Sequence, residues 1–197
     1  MRKLSAADYL VMPWKNGGGT TTQLAVGPAG ADLEQFDWRI SSARVCADGP
    51  FSPFPGVDRS LAVLDGAGLA LAAGGTAPVL LRPGAAPFRF RGEQQIDAFL
   101  ADGPVSDFNV MTRRDRCMHE LQLLELDGSL RLAARADLLL AHLVSGAGLA
   151  CRDARGDTLR CGPGDTILID SANAFPLEFS TASPARLCLA SIRYKET

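Results

Sequence analysis

The residues best suited to chemistry stand in three short runs. The first is Trp14-Lys15-Asn16, followed at once by Gly17-Gly18-Gly19; the second is Trp38-Arg39-Ile40-Ser41-Ser42, with Asp58-Arg59 downstream; the third is Asp107-Phe108-Asn109-Val110-Met111. If these segments are extended, a period of two places Arg39 and Ser41 on one face of their strand and Asp107, Asn109, Met111 and Arg113 on one face of theirs. Such faces offer fixed donors and acceptors. Arginine meets a carboxylate through two parallel charge-assisted hydrogen bonds, which a point charge cannot reproduce. The candidate ligand-binding residues are Trp14, Lys15, Asn16, Arg39, Ser41, Arg59, Asp107, Asn109 and Met111, with Arg39 and Arg59 the first choices for an anion. A structural alternative stays open, in which Arg39, Arg59, Asp58 and Asp107 form ion pairs that brace a sheet and the Pro-rich loop after Pro50. Trp14 can equally pack at a rim.

Other chemistries lack their residues. The two histidines, His119 and His142, are isolated and belong to no His-x-His or His-Glu-x-x-His pattern, so no metal site and no cofactor is expected. One is expected near the surface and the other on the core face of a strand. The glycine run invites comparison with a phosphate loop, but Lys15 precedes the glycines instead of following them, and no βαβ pattern surrounds them. No Gly-x-Ser-x-Gly elbow singles out a nucleophilic serine. Catalytic residues are accordingly not assigned.

The elements that position these residues read as short strands. Phe88-Arg89-Phe90-Arg91, Leu130-Arg131-Leu132 and 187–193 alternate in the manner of half-buried strands, and turn residues recur about every 8–12 positions, which points to an all-β sandwich or barrel. The leucines of 115–126 also suit a helix, and Ser5 to Tyr9 suits one short turn. Gly66-Ala67-Gly68-Leu69-Ala70 recurs letter for letter as Gly146-Ala147-Gly148-Leu149-Ala150. Leu81-Arg82-Pro83-Gly84 lines up with Leu159-Arg160-Cys161-Gly162, so the two matches lie 80 and 78 residues apart and imply two copies of one fold with a small change in loop length.

Composition narrows the classes further. Twenty basic and 22 acidic side chains among 197 residues leave a net charge of −2, and no dense basic cluster would track phosphates, so nucleic acid is not an expected partner. Hydrophobic residues make up 47% of the chain, ample for a sizeable core, but no run reaches the length of a membrane span. Asp8 and Lys15 interrupt the start before a signal-peptide core could form. The five cysteines, at 46, 117, 151, 161 and 188, include no Cys-x-x-Cys pair, which favours reduced thiols in the cytoplasm. Cys151 and Cys161 bracket a glycine-containing stretch and could face each other across a hairpin, yet buried free thiols are the expectation.

Together and in this order, the runs 12–21, 36–59 and 102–114 resemble the signature of the HutD/Ves family, small bacterial proteins with a duplicated cupin fold. The resemblance implies an all-β bicupin. Its first repeat is expected over residues 1–110 and its second over 111–197, with strands exchanged to form one compact unit. Cupins that hold a metal do so with histidines and a glutamate that this chain lacks at the required spacings. The family is associated with histidine-utilisation operons or with stress responses. That implies a small carboxylate metabolite as ligand, such as urocanate or a formylated glutamate, and a sensing or regulatory role without catalysis. Two alternatives are a metal-independent enzyme with Lys15 or Asp107 as acid or base, and a stress-related interaction protein with no small ligand. No membrane partner is expected; a homodimer is compatible with the sequence.

Overall fold

The computed structural model describes residues 1–133, 136–170 and 176–196. Its strands are β1 (Arg2–Leu4), β2 (Leu10–Pro13), β3 (Gly19–Gly27), β4 (Trp38–Val45), β5 (Gly49–Pro50), β6 (Val57–Asp65), β7 (Leu69–Ala73), β8 (Val79–Leu81), β9 (Phe88–Arg91) and β10 (Ile96–Leu100). They continue with β11 (Val105–Arg113), β12 (Cys117–Leu126), β13 (Ser129–Leu132), β14 (Leu138–Ser145), β15 (Leu149–Arg152), β16 (Thr158–Cys161), β17 (Thr166–Asp170), β18 (Leu177–Ser180) and β19 (Ala185–Tyr194). A single 3-10 turn, Ala6–Asp8, occupies the predicted short turn; Asp8 accepts from the Ser5 backbone N–H at 2.8 Å.

The chain divides into two compact units, one of Leu10–Met118 and one of Met1–Tyr9 with His119–Glu196. The first holds a six-stranded sheet in the order β2-β3-β4-β11-β6-β9 and a four-stranded sheet in the order β5-β10-β7-β8. Both sheets are open, so the unit is a sandwich and not a closed barrel. Its core lies between them, with Leu61, Val63 and Val105 from one sheet against Leu69, Leu71 and Ile96 from the other. The second unit repeats the plan with sheets β1-β17-β14-β19-β12 and β13-β18-β15-β16, filled by Leu139, Leu143, Leu149, Ile167, Phe179 and Leu187. Here β1 closes the outer edge of the five-stranded sheet, with Arg2 opposite Leu168.

Strand register defines the duplication better than letter matching does. Leu69 lies opposite Leu81 and Leu149 opposite Cys161, so Leu81 corresponds to Cys161 and the separation is 80 residues, the same as for the glycine motif. The 78-residue alignment of Leu81 with Leu159 is therefore corrected. Chemistry had changed at the matched position while the backbone had not. The turn glycines agree, since Gly84 and Gly164 have φ of 85° and 86°. Gly66 and Gly146 also correspond, each with positive φ and each beside the start of the last long strand of its unit, where a Cβ would strike Val105 or Ala185.

The segment 115–126 is a strand over Cys117–Leu126 and not a helix. Leucine spacing there suited either period, and ladder pairing beside β19 decided it. Cys151 lies opposite Leu159 and Cys161 opposite Leu149, so the two thiols are offset along the hairpin and not paired across it; all five cysteines are free, and all but Cys46 are buried.

Candidate functional site

Within the unit of Leu10–Met118, the six-stranded sheet and the loops at one end enclose a cavity of about 570 Å³. Eight of the nine residues singled out by sequence line it: Trp14, Lys15, Asn16, Arg39, Ser41, Arg59, Asp107 and Asn109. The ninth, Met111, does not. It packs with Phe36 and Val57 in a small separate core and lies beside the site, with Arg39 Nη1 4.0 Å from its Sδ.

The register of neighbouring strands explains the convergence. Arg39 and Ser41 on β4 lie opposite Met111 and Asn109 on β11, and those residues in turn face Arg59 and Leu61 on β6. Three adjacent strands thus present their alternate residues to one side. The run from Trp14 to Gly18 forms the loop between β2 and β3, and Gly19 opens β3. Asn16 Oδ1 accepts the Gly18 N–H at 3.0 Å, and Trp14 Nε1 donates to Thr21 Oγ1 at 2.8 Å, which locks the ring in place. Gly17 turns with φ of 70°, while a Cβ on Gly19 would collide with the Arg44 carbonyl and the Trp14 ring.

Among the described residues neither arginine makes an ion pair. Arg59 is 7% exposed, and its guanidinium carbon stands 4.7, 5.2 and 5.6 Å from the ring centres of Phe90, Phe51 and Phe54. Its Nη1 donates to the Ser52 carbonyl at 3.3 Å, and its buried Nε has no partner. Among the described residues no carboxylate comes within 4 Å of it. Burial lowers its pKa to about 10, with nearby Asp107 acting against that shift and Arg39 reinforcing it. Arg39 Nε donates to Gln23 Oε1 at 2.7 Å, and burial lowers the Arg39 pKa as well. Asp58, the other proposed brace, pairs instead with Arg114 at 2.8 Å, and Arg114 also holds Glu93 at 3.0 Å. Arg59 does anchor the Pro-rich loop, but through the Phe51 and Phe54 rings and the Ser52 carbonyl.

Asp107 is 3% exposed, and one carboxylate oxygen accepts the Ala43 N–H at 3.3 Å. Burial is the larger influence on this group and the Arg59 charge the smaller, so its pKa rises to about 7. Two residues on, Asn109 has a buried Oδ1 with no partner. Sequence reasoning missed the aromatic box around Arg59, because Phe51, Phe54 and Phe90 come from a loop and an edge strand that no local pattern connects.

The second unit serves as an internal control. Arg59 lies opposite Met111, Asn109 opposite Leu61 and Asp107 opposite Val63; the corresponding pairs are Leu139 with Ser191, Leu189 with Ala141 and Leu187 with Leu143. The same backbone that carries Arg59, Asp107 and Asn109 in one unit carries three leucines in the other. His142 is buried on β14 and bonds to Thr166 Oγ1 through Nδ1 at 2.9 Å, and burial lowers its pKa to about 4. Tyr9 shares the Thr166 hydroxyl at 2.9 Å. His119 lies half-buried on β12.

The cavity does not suit the metals that cupin folds often hold. It supplies no imidazole, and its two carboxylates, Asp48 and Asp107, stand among the Lys15 ammonium and two guanidinium groups that would repel a cation. Among the described residues no three His, Cys, Asp or Glu side chains gather closely enough to hold a metal ion. No helix among them is long and apolar enough to cross a membrane.

Comparison with known proteins agrees with this architecture. Residues 6–188 match the family model HutD. An uncharacterised 21.2 kDa protein of the hutC 3′ region in Pseudomonas putida is 38% identical over 145 residues, 74% of each chain. Protein Ves of Cronobacter sakazakii is 40% identical over 120 residues, 59% of this chain and 64% of that protein. Among solved structures, HutD from Pseudomonas fluorescens, described as a formate condition, superposes with a TM-score of 0.82 at 34% identity, covering 99% of both chains. A cupin barrel protein from Leptotrichia buccalis is similar in fold alone, with a TM-score of 0.60 at 9% identity over 92% of each chain. With its duplicated cupin architecture and a family match running nearly end to end, the chain belongs to the HutD family.

Proposed function

We propose that the chain binds a small carboxylate metabolite in the cavity of its Leu10–Met118 unit and serves as a sensor or regulator. The observation that carries this reading is Arg59: a buried guanidinium held by three phenyl rings, with no carboxylate at ion-pair distance among the described residues. A buried charge without a direct ion pair is costly, and an incoming anion at contact distance relieves that cost more fully than Asp107, which stands beyond ion-pair reach. Arg39 supplies a second cation in the same cavity. The histidine-utilisation link in the names of the relatives makes urocanate and N-formylglutamate the first ligands to test. Formate, the condition named for the Pseudomonas fluorescens structure, is the minimal probe of the same chemistry.

Calorimetric titration with urocanate, N-formylglutamate and formate, on the wild type and on Arg59→Lys and Arg39→Lys, tests the proposal. Binding by the wild type with a loss of tenfold or more in Arg59→Lys is expected, since lysine lacks the planar fork. A wild type that binds none of the three, or an Arg59→Lys protein that binds all of them as well, overturns it.

One observation favours a second reading, a metal-independent enzyme. The Asp107 carboxyl, with a pKa of about 7 inside the cavity, is poised for proton transfer at neutral pH. Consumption of a bound acid that stops in Asp107→Asn would support that reading; binding without turnover would favour the sensor.

A further inference from the structure

Arg59 accounts for one end of a ligand and leaves the rest of the polar surface unexplained. Asp107 uses one carboxylate oxygen for the Ala43 N–H at 3.3 Å, and its other oxygen makes no hydrogen bond among the described residues. No lysine or arginine approaches it within ion-pair distance among the described residues. Asn109, on the same face of β11, keeps its buried Oδ1 unpartnered. A buried acceptor without a donor, as at Asn109, costs about 1–3 kcal/mol, and native structures rarely retain one without reason.

The fold does not demand them. At the corresponding positions of β19 the second unit places Leu187 and Leu189, both packed in its apolar core. Acceptors that the backbone can do without, beside cations that make no ion pair among the described residues, complement a molecule carrying both a negative charge and a hydrogen-bond donor. A simple carboxylate would satisfy the arginines and leave Asp107 facing acceptor atoms or hydrocarbon.

Resting on the carboxylate reading above, we propose that Asp107 and Asn109 are specificity residues, selecting carboxylates that bear an N–H or O–H donor over those that do not. The ionised Asp107 oxygen accepts from the ligand donor while Arg59 holds the ligand carboxylate, so each end of the ligand meets the group that lacks a partner. Rejection of donorless analogues follows from the same arrangement. A site built to hydrogen-bond a donor is left with a buried unpaired acceptor when the donor is absent.

The test uses paired acids with and without the donor, titrated at pH 8, above the Asp107 pKa of about 7. N-Acetylglycine is compared with acetoxyacetate, in which oxygen replaces the N–H, and glycolate with methoxyacetate. The wild type is expected to favour the donor-bearing member of each pair by tenfold or more. In Asp107→Leu, which carries the residue that the second unit holds at this position, the preference should collapse while the donorless acids bind no worse. Donorless acids that bind the wild type as tightly as their partners overturn the specificity assignment and leave the carboxylate site standing. Preference that survives in Asp107→Leu overturns it as well. If none of the four acids binds, and urocanate, N-formylglutamate and formate do not bind either, the carboxylate reading itself fails and takes this assignment with it; binding of those three alone overturns only the specificity assignment. The wild-type comparison needs no variant, so it decides the matter even if Asp107→Leu does not fold.

Discussion

Replacing Arg59 by methionine separates a guanidinium kept for a ligand from one that holds the fold. Burial lowers the Arg59 pKa to about 10, so keeping it charged at neutral pH in the empty cavity costs ~3 kcal/mol, at ~1.36 kcal/mol per tenfold. Against that stand three ring contacts at ~0.5–1 kcal/mol each and the Ser52 carbonyl bond at ~1 kcal/mol. The two sides nearly cancel. Methionine keeps the flexible apolar contacts with Phe51, Phe54 and Phe90 and removes the charge, so the empty variant should melt within a few degrees of the wild type or above it. An arginine braced by a buried ion pair would behave otherwise: breaking the pair costs ~3–5 kcal/mol, and at ~2–4 °C per kcal/mol for a chain of this size the melting temperature would fall by ~6–20 °C. Differential scanning calorimetry without ligand, then with saturating carboxylate, reads both quantities. The expected result is an unchanged or raised Tm in Arg59→Met together with loss of the ligand-induced rise. A fall of ~10 °C or more in the empty variant would refute the reasoning, as would a ligand-induced rise equal to that of the wild type.

Further outcomes follow from particular groups. The folded Asp107 pKa of about 7 lies above the ordinary carboxylate value, so the folded state binds the extra proton; stability should fall as pH rises from about 4 to 7, and urea titrations of Asp107→Asn should lack that slope. His142 is held neutral by burial, with its pKa lowered to about 4, so its contribution is full above the ordinary histidine pKa of ~6.5 and is lost as pH falls toward 4; His142→Gln should flatten that limb of the acid denaturation curve. Gly19→Ala should destabilise by ~1–3 kcal/mol through collision with the Arg44 carbonyl, whereas Gly18→Ala, whose Cβ would meet Asn16 and Ala47 at 3.4–3.5 Å, should cost well under half of that by chemical denaturation.

Strand content, the duplication and the lining of the cavity were legible in the sequence for local reasons. Alternation with period two is a property of a few consecutive residues, so Arg39 with Ser41 and Asp107 with Asn109 could be paired on faces before any fold was known. Gly66 and Gly146 announced the repeat because both positions need positive φ beside a close-passing strand, a demand that preserves the letter. Met111 marks the limit of this reasoning. It shares the parity of Asp107 and Asn109 and lies opposite Arg39 and Arg59, yet its side chain packs with Phe36 and Val57 while the two arginines beside it line the cavity.

Tertiary structure decided what parity could not reach. Whether Arg59 would meet a carboxylate or an aromatic box depended on Phe51, Phe54 and Phe90 arriving from separate segments, and on Asp58 turning to Arg114 instead. The strand at Cys117–Leu126 was likewise settled by a neighbouring ladder, since its leucines satisfied two periods equally. The sequence by itself determined which residues could share a face. Burial, which strips Arg59 of water and raises the Asp107 pKa, belongs to the assembled sheets, because desolvation depends on every neighbour at once and on no single stretch of chain.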